Sequence, residues 1–600
     1  MILEDKYKER IQVAETHLNK IKKQILQVST LRVFLFIAGV IGLIAFHNKG
    51  AAIIGLTIAF TFLPFLILVK YHRWLFKQKE WDEMLIKINR DEVAVLNNDY
   101  SPFDEGTKFI DPANRYSFDL DVFGPHSLFQ LMNRTCTSFG KQILGNWLSN
   151  HSEHKEEIES RQKAVKELTE LHEFRETFRV TGLLNHGNSQ DKEELSNWAQ
   201  SRPYFSTQIW VKPILFLIPI INMGLFLLGI LNILPFSWFG LCFCLFFIAG
   251  AGLTKIVNKI QSVSDKRLKI LSIYAKLIQL IDKQELSSPL LVQLKSEFMT
   301  DKGKDAIDAL KQLEKTMDRL DMRNNMFLFI FLEGLLFWQL RQVVQIEAWQ
   351  QQYGKYLMCW LNALGNFDAL CSLGNFAYIH PDYVYPTITD KPFIFEAKEL
   401  GHPLMKRKTC VTNDSDIPSR PFFIIITGAN MAGKSTYLRT IGINYVLACV
   451  GAPVYANSLT IYPAKLITSL RTTDSLDKHE SYFFAELKRL KEIIDRLNRG
   501  EILFIILDEI LKGTNSLDKQ KGSFALIQQF MNLNANGIIA THDLLLGELI
   551  KSFPETIRNY CFEADITNNE LTFSYQLRTG IAQNMNACFL MKKMGIKMED

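Results

Sequence analysis

Three stretches carry residue types that handle a triphosphate. In PFFIIITGANMAGKSTYLRTIG (421–442), Gly428, Gly433, Lys434 and Ser435 satisfy G-x-x-x-x-G-K-[ST]. Glycine at those positions lets the backbone curl so that successive N–H groups point inward at phosphate oxygens. A helix that follows adds the positive end of its dipole. The expected nucleotide-binding set is Thr427, Gly428, Ala429, Asn430, Met431, Ala432, Gly433, Lys434, Ser435 and Thr436, with Lys434 reaching the β- and γ-phosphates. In GEILFIILDEILKGTNSLDKQKG (500–522) an apolar run ends in Asp508-Glu509. Asp508 and Ser435 are the expected Mg²⁺ residues, and Glu509 the carboxylate that positions or activates an attacking water. In GIIATHDLLLGEL (537–549) a third apolar run ends in Thr541-His542. A histidine at a strand end is by itself often just a polar cap. A nucleoside triphosphate with Mg²⁺ is the ligand these motifs predict.

These residues need a scaffold that brings strand ends together. Phe422–Ile426 and Ile502–Leu507 read as buried strands, the first followed by a turn and a helical pattern, and a third strand precedes Thr541-His542. That order predicts a parallel sheet with the nucleotide at the carboxyl ends of its strands. Ahead of it the pattern is helical.

The 600 residues suggest roughly four domains on length. The 68 basic and 63 acidic residues nearly balance, so charge does not argue for nucleic acid. The nine cysteines show no C-x-x-C pair and no ligand spacing, which points to a reducing compartment without structural zinc. Residues 1–30 are too charged for a cleavable signal peptide.

Two apolar blocks interrupt the polar sequence. Val33–Phe46 and Ala51–Val69 are uncharged and flank the turn His47-Asn48-Lys49-Gly50. The first arm is short, and a buried core helix is its alternative reading. No charged residue lies between Lys212 and Lys255, where Ile214–Ile233 and Phe236–Leu253 are each near spanning length. Both blocks read as transmembrane hairpins, four helices in all. Lys20, Lys22, Lys23, Lys70, Arg73, Lys77 and Lys79 flank the mouth of the first, and Lys212, Lys255 and Lys259 that of the second. The positive-inside rule then predicts a multi-pass protein of the cytoplasmic membrane with its nucleotide site in the cytoplasm. The spans hold no acidic or basic residue, so they read as anchors rather than a pore. Met326–Trp338, apolar apart from Glu333, reads as a buried helix rather than a fifth span.

Other segments resemble the MutS family of mismatch-repair ATPases. Ser127, Leu128, Leu131, Asn133, Thr135 to Gly140, Leu144, Trp147, Leu148 and Arg161-Gln162 fall in step with that family's core domain. NFDALCSLGNFAYIHPDYVYPTITDKPFIFEAKELGHPL (366–404) resembles the return of the core and the approach to the ATPase. It keeps Gly401-His402-Pro403, and Asn413-Asp414 stands in place of the family's PND. TGANMAGKST departs from TGPNMGGKST only at Ala429 and Ala432. TSLRTTDSLDKHESYFFAELKRLKEII (468–494) is similar to the family signature through Asp474, Ser475, Leu476 and Glu480-Ser481-Tyr482-Phe483. Gly513-Thr514-Asn515-Ser516 resembles its GTST dimer contact, and FSYQLRTGIAQNMNACFLMKKMGI (573–596) its last helix.

The resemblance implies a dimer with each ATP between two ATPase domains. One subunit would supply the phosphate loop, Asp508, Glu509 and His542, the last contacting the γ-phosphate; Ser481 would come from the other. Apart from that role, Ser481 is an ordinary helix N-cap. The expected fold is an α/β P-loop NTPase of the ABC/MutS type, preceded by an all-α core domain and carrying two transmembrane hairpins. Its parts are a charged helix (1–30), hairpin one (31–72), the first part of the core (73–210), hairpin two (211–254), a lever remnant with the core's return (255–385), and the ATPase (386–600). No mismatch-reading or connector domain is recognisable. The function this implies is ATP-gated binding of DNA, mismatched or otherwise in repair or recombination, by a membrane-anchored homodimer. The alternative is an ATP-driven clamp on a membrane protein without DNA. An ABC transporter fits poorly, because the spans are too few and too apolar.

Overall fold

The computed structural model describes residues 2–184, 195, 197–201, 203–262, 265–300, 303, 305–429, 431–471, 482–512, 514–567 and 570–583. Its longer helices are α1 (Ile2–Phe46), α2 (Ala51–Leu96), α3 (Ser138–Ser149), α4 (Lys155–Glu170), α5 (His172–Leu183), α6 (Val211–Ile230), α7 (Ser237–Ser262), α8 (Asp265–Lys283), α9 (Ala306–Asp321), α10 (Met326–Leu336), α11 (Trp338–Ile379), α12 (Lys434–Val450), α13 (Tyr482–Asn498) and α14 (Ser516–Asn532).

Helices α1 and α2 form an antiparallel hairpin whose polar ends are zipped by Ala14, Leu18 and Ile86 and by Ile21, Val28 and Leu75. Beyond them the apolar ends stand bare: Phe34, Phe36, Ile41, Ile44, Phe60 and Phe62 are all exposed. A buried core helix is therefore not what residues 33–46 form. Neither helix breaks at residues 30 or 72. The change there is in composition, within one continuous rod. Among the described residues four helices are long and apolar enough to cross a membrane: α1, α2, α6 and α7.

The polar end of this hairpin is fastened to the core by buried and half-buried ions, the Glu92–Arg134 pair being the buried one. Glu92 of α2 accepts hydrogen bonds from Arg134 Nε (2.7 Å) and Arg179 Nη1 (2.5 Å). Glu176 of α5 takes Arg10 at 2.5 Å and Asn89 at 2.8 Å. Breaking the buried pair strands its remaining charge, at a cost of about 3–5 kcal/mol. The core itself is all helical. Its axis is α11, buried along most of its length and packed by α3, α4, α8 and α9.

Met326–Leu336 corrects the sequence reading. It is a separate short helix, α10, bent 78° from α11 at Phe337, and Met326, Phe327, Leu328 and Phe331 are exposed rather than buried.

The C-terminal part is α/β. A six-stranded sheet runs in the order β12 (Arg578–Thr579), β9 (Ile557–Phe562), β4 (Phe422–Gly428), β8 (Asn536–Thr541), β7 (Leu503–Asp508), β6 (Lys465–Ser469). All neighbours are parallel except β12 with β9. Strand β4 is buried at every position, as a central parallel strand covered on both faces must be. A smaller sheet, β1 (Thr387–Ile388), β5 (Ser458–Ile461), β2 (Phe395–Leu400) and β3 (Asn413–Ile417), covers one flank. Strands β10 (Ala564–Thr567) and β11 (Glu570–Phe573) make a hairpin. The segment from Phe573 to Gln583 is extended and includes β12, so its first part is not the helix the resemblance implies. Residues 584–596 lie outside the described ones.

Candidate nucleotide site

The strand ends meet as the spacing predicts. Strands β4, β7 and β8 are neighbours, so Gly428, Asp508 and Thr541-His542 share one edge of the sheet. Gly428 has φ 149°, and a Cβ there would lie 2.4 Å from the carbonyl oxygen of Phe562, so only glycine lets the chain leave β4 at this angle. Gly433, at φ 108°, is the N-cap of α12, whose first residue is Lys434.

Lys434 Nζ donates to the carbonyls of Gly428 and Ala429, both at 2.8 Å, and lies 3.4 Å from His542 Nε2. Burial pulls its ammonium below the ordinary value, while Asp508 and Glu509 act against that. Ser435 Oγ donates to Asp508 Oδ2 at 2.5 Å. His542 Nε2 is 3.0 Å from Glu509 Oε1, and Lys512 Nζ is 3.3 Å from Glu509 Oε2. The hydrogen bond from His542, with Lys512 and Lys519 nearby, holds the Glu509 carboxyl down to about 2. So low a value makes Glu509 a weak proton acceptor in this arrangement, better suited to orienting a water than to deprotonating it.

Together these groups line a cavity of about 570 Å³, within the usual range for a small-molecule site. It is also lined by His402, Met405, Val411, Phe562 and Tyr575, a largely apolar and aromatic surface of the kind a nucleobase packs against. Burial keeps His402 neutral, pulled down to about 4. Among the described residues no group of three or more His, Cys, Asp or Glu could hold a metal. Mg²⁺ bound with a nucleotide needs only one or two protein oxygens and completes its shell with phosphate and water. Ser435 and Asp508 would be that pair, and in this the residues present fit Mg-ATP. Of the other expected nucleotide residues, Ala429, Met431, Gly433 and Thr436 line the cavity. Thr427 is fully buried beneath it, where Oγ1 accepts from the backbone N–H of Ala582 at 2.9 Å, and Ala432 is buried as well. Asn430 and Ser481 lie outside the described residues.

Several contributors were not legible in the sequence. Met431, Glu509 and Leu511 have positive φ of 66°, 50° and 59° without being glycine, and such strain persists only where surroundings enforce it. For the turn after β7 the enforcing residue is Glu486 on α13, buried, whose carboxylate accepts from the N–H groups of Leu511 (2.8 Å) and Lys512 (3.0 Å). Asn413 closes the aromatic wall, donating to Tyr575 O at 3.0 Å and accepting from Leu577 N at 2.7 Å. The core contributes too. Asp119 accepts from Thr468 Oγ1 (2.6 Å) and from the N–H groups of Leu470 and Arg471 (3.1 and 3.2 Å) at the end of β6. Asp121 Oδ2 bridges Arg439 of α12 (3.1 Å) and Arg471 (2.7 Å). Asn515 is the N-cap of α14, accepting from Asp518 N at 2.8 Å.

Family models for MutS domain III and MutS domain V match residues 115–374 and 424–596. The chain carries MutS domains III and V. The domain III match runs across both helices of the second apolar block. Among similar proteins, "DNA mismatch repair protein MutS" of Acetivibrio thermocellus is 29% identical over 294 residues, 48% of this chain and 32% of that protein. The MutS of Chlorobium chlorochromatii is 28% identical over 309 residues, 50% of this chain and 34% of its own. "MutS protein homolog 4" of Homo sapiens is 29% identical over 236 residues, 38% of this chain and 24% of that protein. The matched stretch thus spans about a quarter to a third of these relatives.

Proposed function

We propose that this chain is a membrane-anchored ATPase with MutS domains III and V, working as a homodimer whose nucleotide state gates engagement of DNA. The observation that carries the reading is the convergence of Lys434, Ser435-Asp508 and Glu509-His542 at the ends of three adjacent strands, within a domain V match. Bound Mg-ATP supplies the reactive phosphoanhydride. Lys434 and the loop N–H groups hold its phosphates, and Ser435 and Asp508 hold the metal. Glu509 orients the water, kept in place by His542. Ser481 of the partner subunit completes the site, so closure of the dimer and nucleotide state are linked: ATP favours whichever arrangement it binds more tightly. Helices α1, α2, α6 and α7 span the cytoplasmic membrane with the ATPase on the cytoplasmic side.

A second reading, in which the closed dimer grips a membrane protein, is favoured by the near balance of 68 basic and 63 acidic residues. A duplex binder ordinarily shows a basic stripe. The full-length protein in detergent or nanodiscs decides between them. ATPase rates are measured with homoduplex, mismatched and branched DNA at low and moderate salt. Stimulation or binding that weakens with salt supports DNA. No binding and no rate change with any DNA removes that reading. Extraction at alkaline pH tests the anchor: release into the soluble fraction goes against it.

A further inference from the structure

Helix α10 is inside out by the standards of a soluble protein. Its exposed side chains are Met326, Phe327, Leu328 and Phe331, with Phe327 at 78% and Phe331 at 60% exposure. Its buried residues are Glu333, at 0%, and Gly334. A helix in water puts apolar groups inward and carboxylates outward. The reverse arrangement is what a hydrocarbon solvent selects, where the rare ionisable side chain turns to the protein interior.

The ends of α10 meet the matching requirement on the backbone. At bilayer depth an interrupted helix is tolerated only where neighbouring protein satisfies its free polar groups. Asn325 caps the start, its Oδ1 accepting from the N–H groups of Phe327 and Leu328. At the far end Asn222 of α6 donates Nδ2 to the carbonyls of Gly334 (3.0 Å) and Leu335 (3.3 Å). Glu333 Oε2 accepts from the N–H of Gln339 at 3.0 Å, beyond the left-handed break at Phe337 (φ 52°). Gln339 is tied in turn to Thr254 of α7 (3.1 Å) and Arg323 (2.8 Å). Glu333 fits because α7 has no side chain at Gly250: a Cβ there would sit 2.3 Å from Glu333 Oε1. Arginines flank both ends, Arg319 and Arg323 before and Arg341 after, which places both on the same side of the bilayer. Eleven residues reach about 16 Å, roughly half of a ~30 Å hydrocarbon core.

We propose that α10 is a re-entrant half-helix, dipping into the acyl layer beside the second hairpin and returning at Phe337, with its outer face against lipid. The occupant of that face is lipid because the exposed side chains continue the bare apolar surface of α6 and α7, on which α10 packs. This rests on the membrane-anchor reading above.

The test uses the full-length protein in proteoliposomes, with Cys242, Cys244, Cys359, Cys410 and Cys588 replaced by alanine. Spin labels are placed singly at Phe327→Cys, Phe331→Cys, Leu245→Cys in α7, and Leu517→Cys on the ATPase surface. Collision rates with oxygen, which concentrates in lipid, are compared with those of a water-soluble nickel chelate. Expected at 327 and 331 is an oxygen-to-nickel ratio close to that at 245 and severalfold above that at 517. A lipid-like 245 with nickel-accessible 327 and 331 overturns the half-helix and leaves the anchor standing. Low collision with both reagents at 327 and 331 overturns it in favour of a protein contact. Nickel access at 245 as well overturns the anchor itself.

Discussion

Glu509 and His542 are joined by a 3.0 Å hydrogen bond that spans the ends of two neighbouring strands. The folded-state value of Glu509, about 2, lies below its ordinary 4.5. The pair therefore contributes stability that is present above pH 4.5 and lost as pH falls towards 2. His542→Ala should remove the larger part of that stability, on the order of 1 kcal/mol once the shares of Lys512 and Lys519 and solvent screening are allowed for. The difference from the native protein should close as pH approaches 2, read by thermal unfolding. Glu509→Gln keeps the shape and loses the charge. It should retain ATP while phosphate release falls by about 10²-fold or more, as loss of a water-positioning group does. Undiminished hydrolysis in Glu509→Gln would remove the role given to this residue.

Lys434→Ala deletes the ammonium that spans the loop between Gly428, Ala429 and His542. Charge-assisted hydrogen bonds contribute about 1.5–3 kcal/mol each, so ATP affinity should drop by about 10- to 100-fold. Fluorescent-nucleotide titration reads this directly, and unchanged affinity would contradict the assigned site.

Asp119 and Asp121 lie two residues apart yet should respond very differently. Asp119 is buried and holds two backbone N–H groups and Thr468. Asp119→Ala leaves those donors without an acceptor and should cost about 2–4 kcal/mol. Asp121 is partly exposed and already at φ 53°, a conformation asparagine tolerates, so Asp121→Asn should cost under about 1 kcal/mol. Equal losses in unfolding midpoint would show that the core does not hold β6 through Asp119.

Asp368 of α11 accepts from Thr137 Oγ1 (2.7 Å) and from the N–H groups of Cys136 and Thr137. Burial outweighs those donors and pushes its carboxyl up to about 6, from 3.8. The folded state thus binds this proton more tightly than the unfolded one. The contribution of Asp368 to stability falls as pH rises from about 4 to 6 and is flat outside that window. Asp368→Asn should be less stable than the native protein, by a margin larger at pH 4.5 than at pH 7. A margin independent of pH would contradict the raised value.

Much of the nucleotide site was legible because its chemistry is local. Gly428, Gly433, Lys434 and Ser435 fall within eight residues, and strand, turn and helix follow in order. Lys512, Glu486, Tyr575 and the Asp119–Asp121 pair were not, because only the tertiary fold brings them to the same strand ends. Helix α10 was misjudged for a different reason. One glutamate in an apolar run says nothing about which way it points, and here it points inward. The charged and apolar parts of α1 looked like separate elements because composition reports solvent, whereas the backbone hydrogen bonds run through both.

That continuity has a mechanical consequence. Helix α1 is 45 residues, about 68 Å at 1.5 Å per residue, with no joint between its apolar end and the end clamped through Arg10 by Glu176. On the anchored and homodimeric reading, a protein fastened in this way cannot swivel freely at the bilayer surface. Its ATPase is held at a fixed height and tilt, free only to drift sideways and to spin about the membrane normal. Two copies then search for one another in a plane rather than a volume, already sharing an up and a down. Their collision frequency follows their density per area of membrane, so crowding the same number of molecules into a smaller patch of bilayer would assemble the paired sites with no change in total protein.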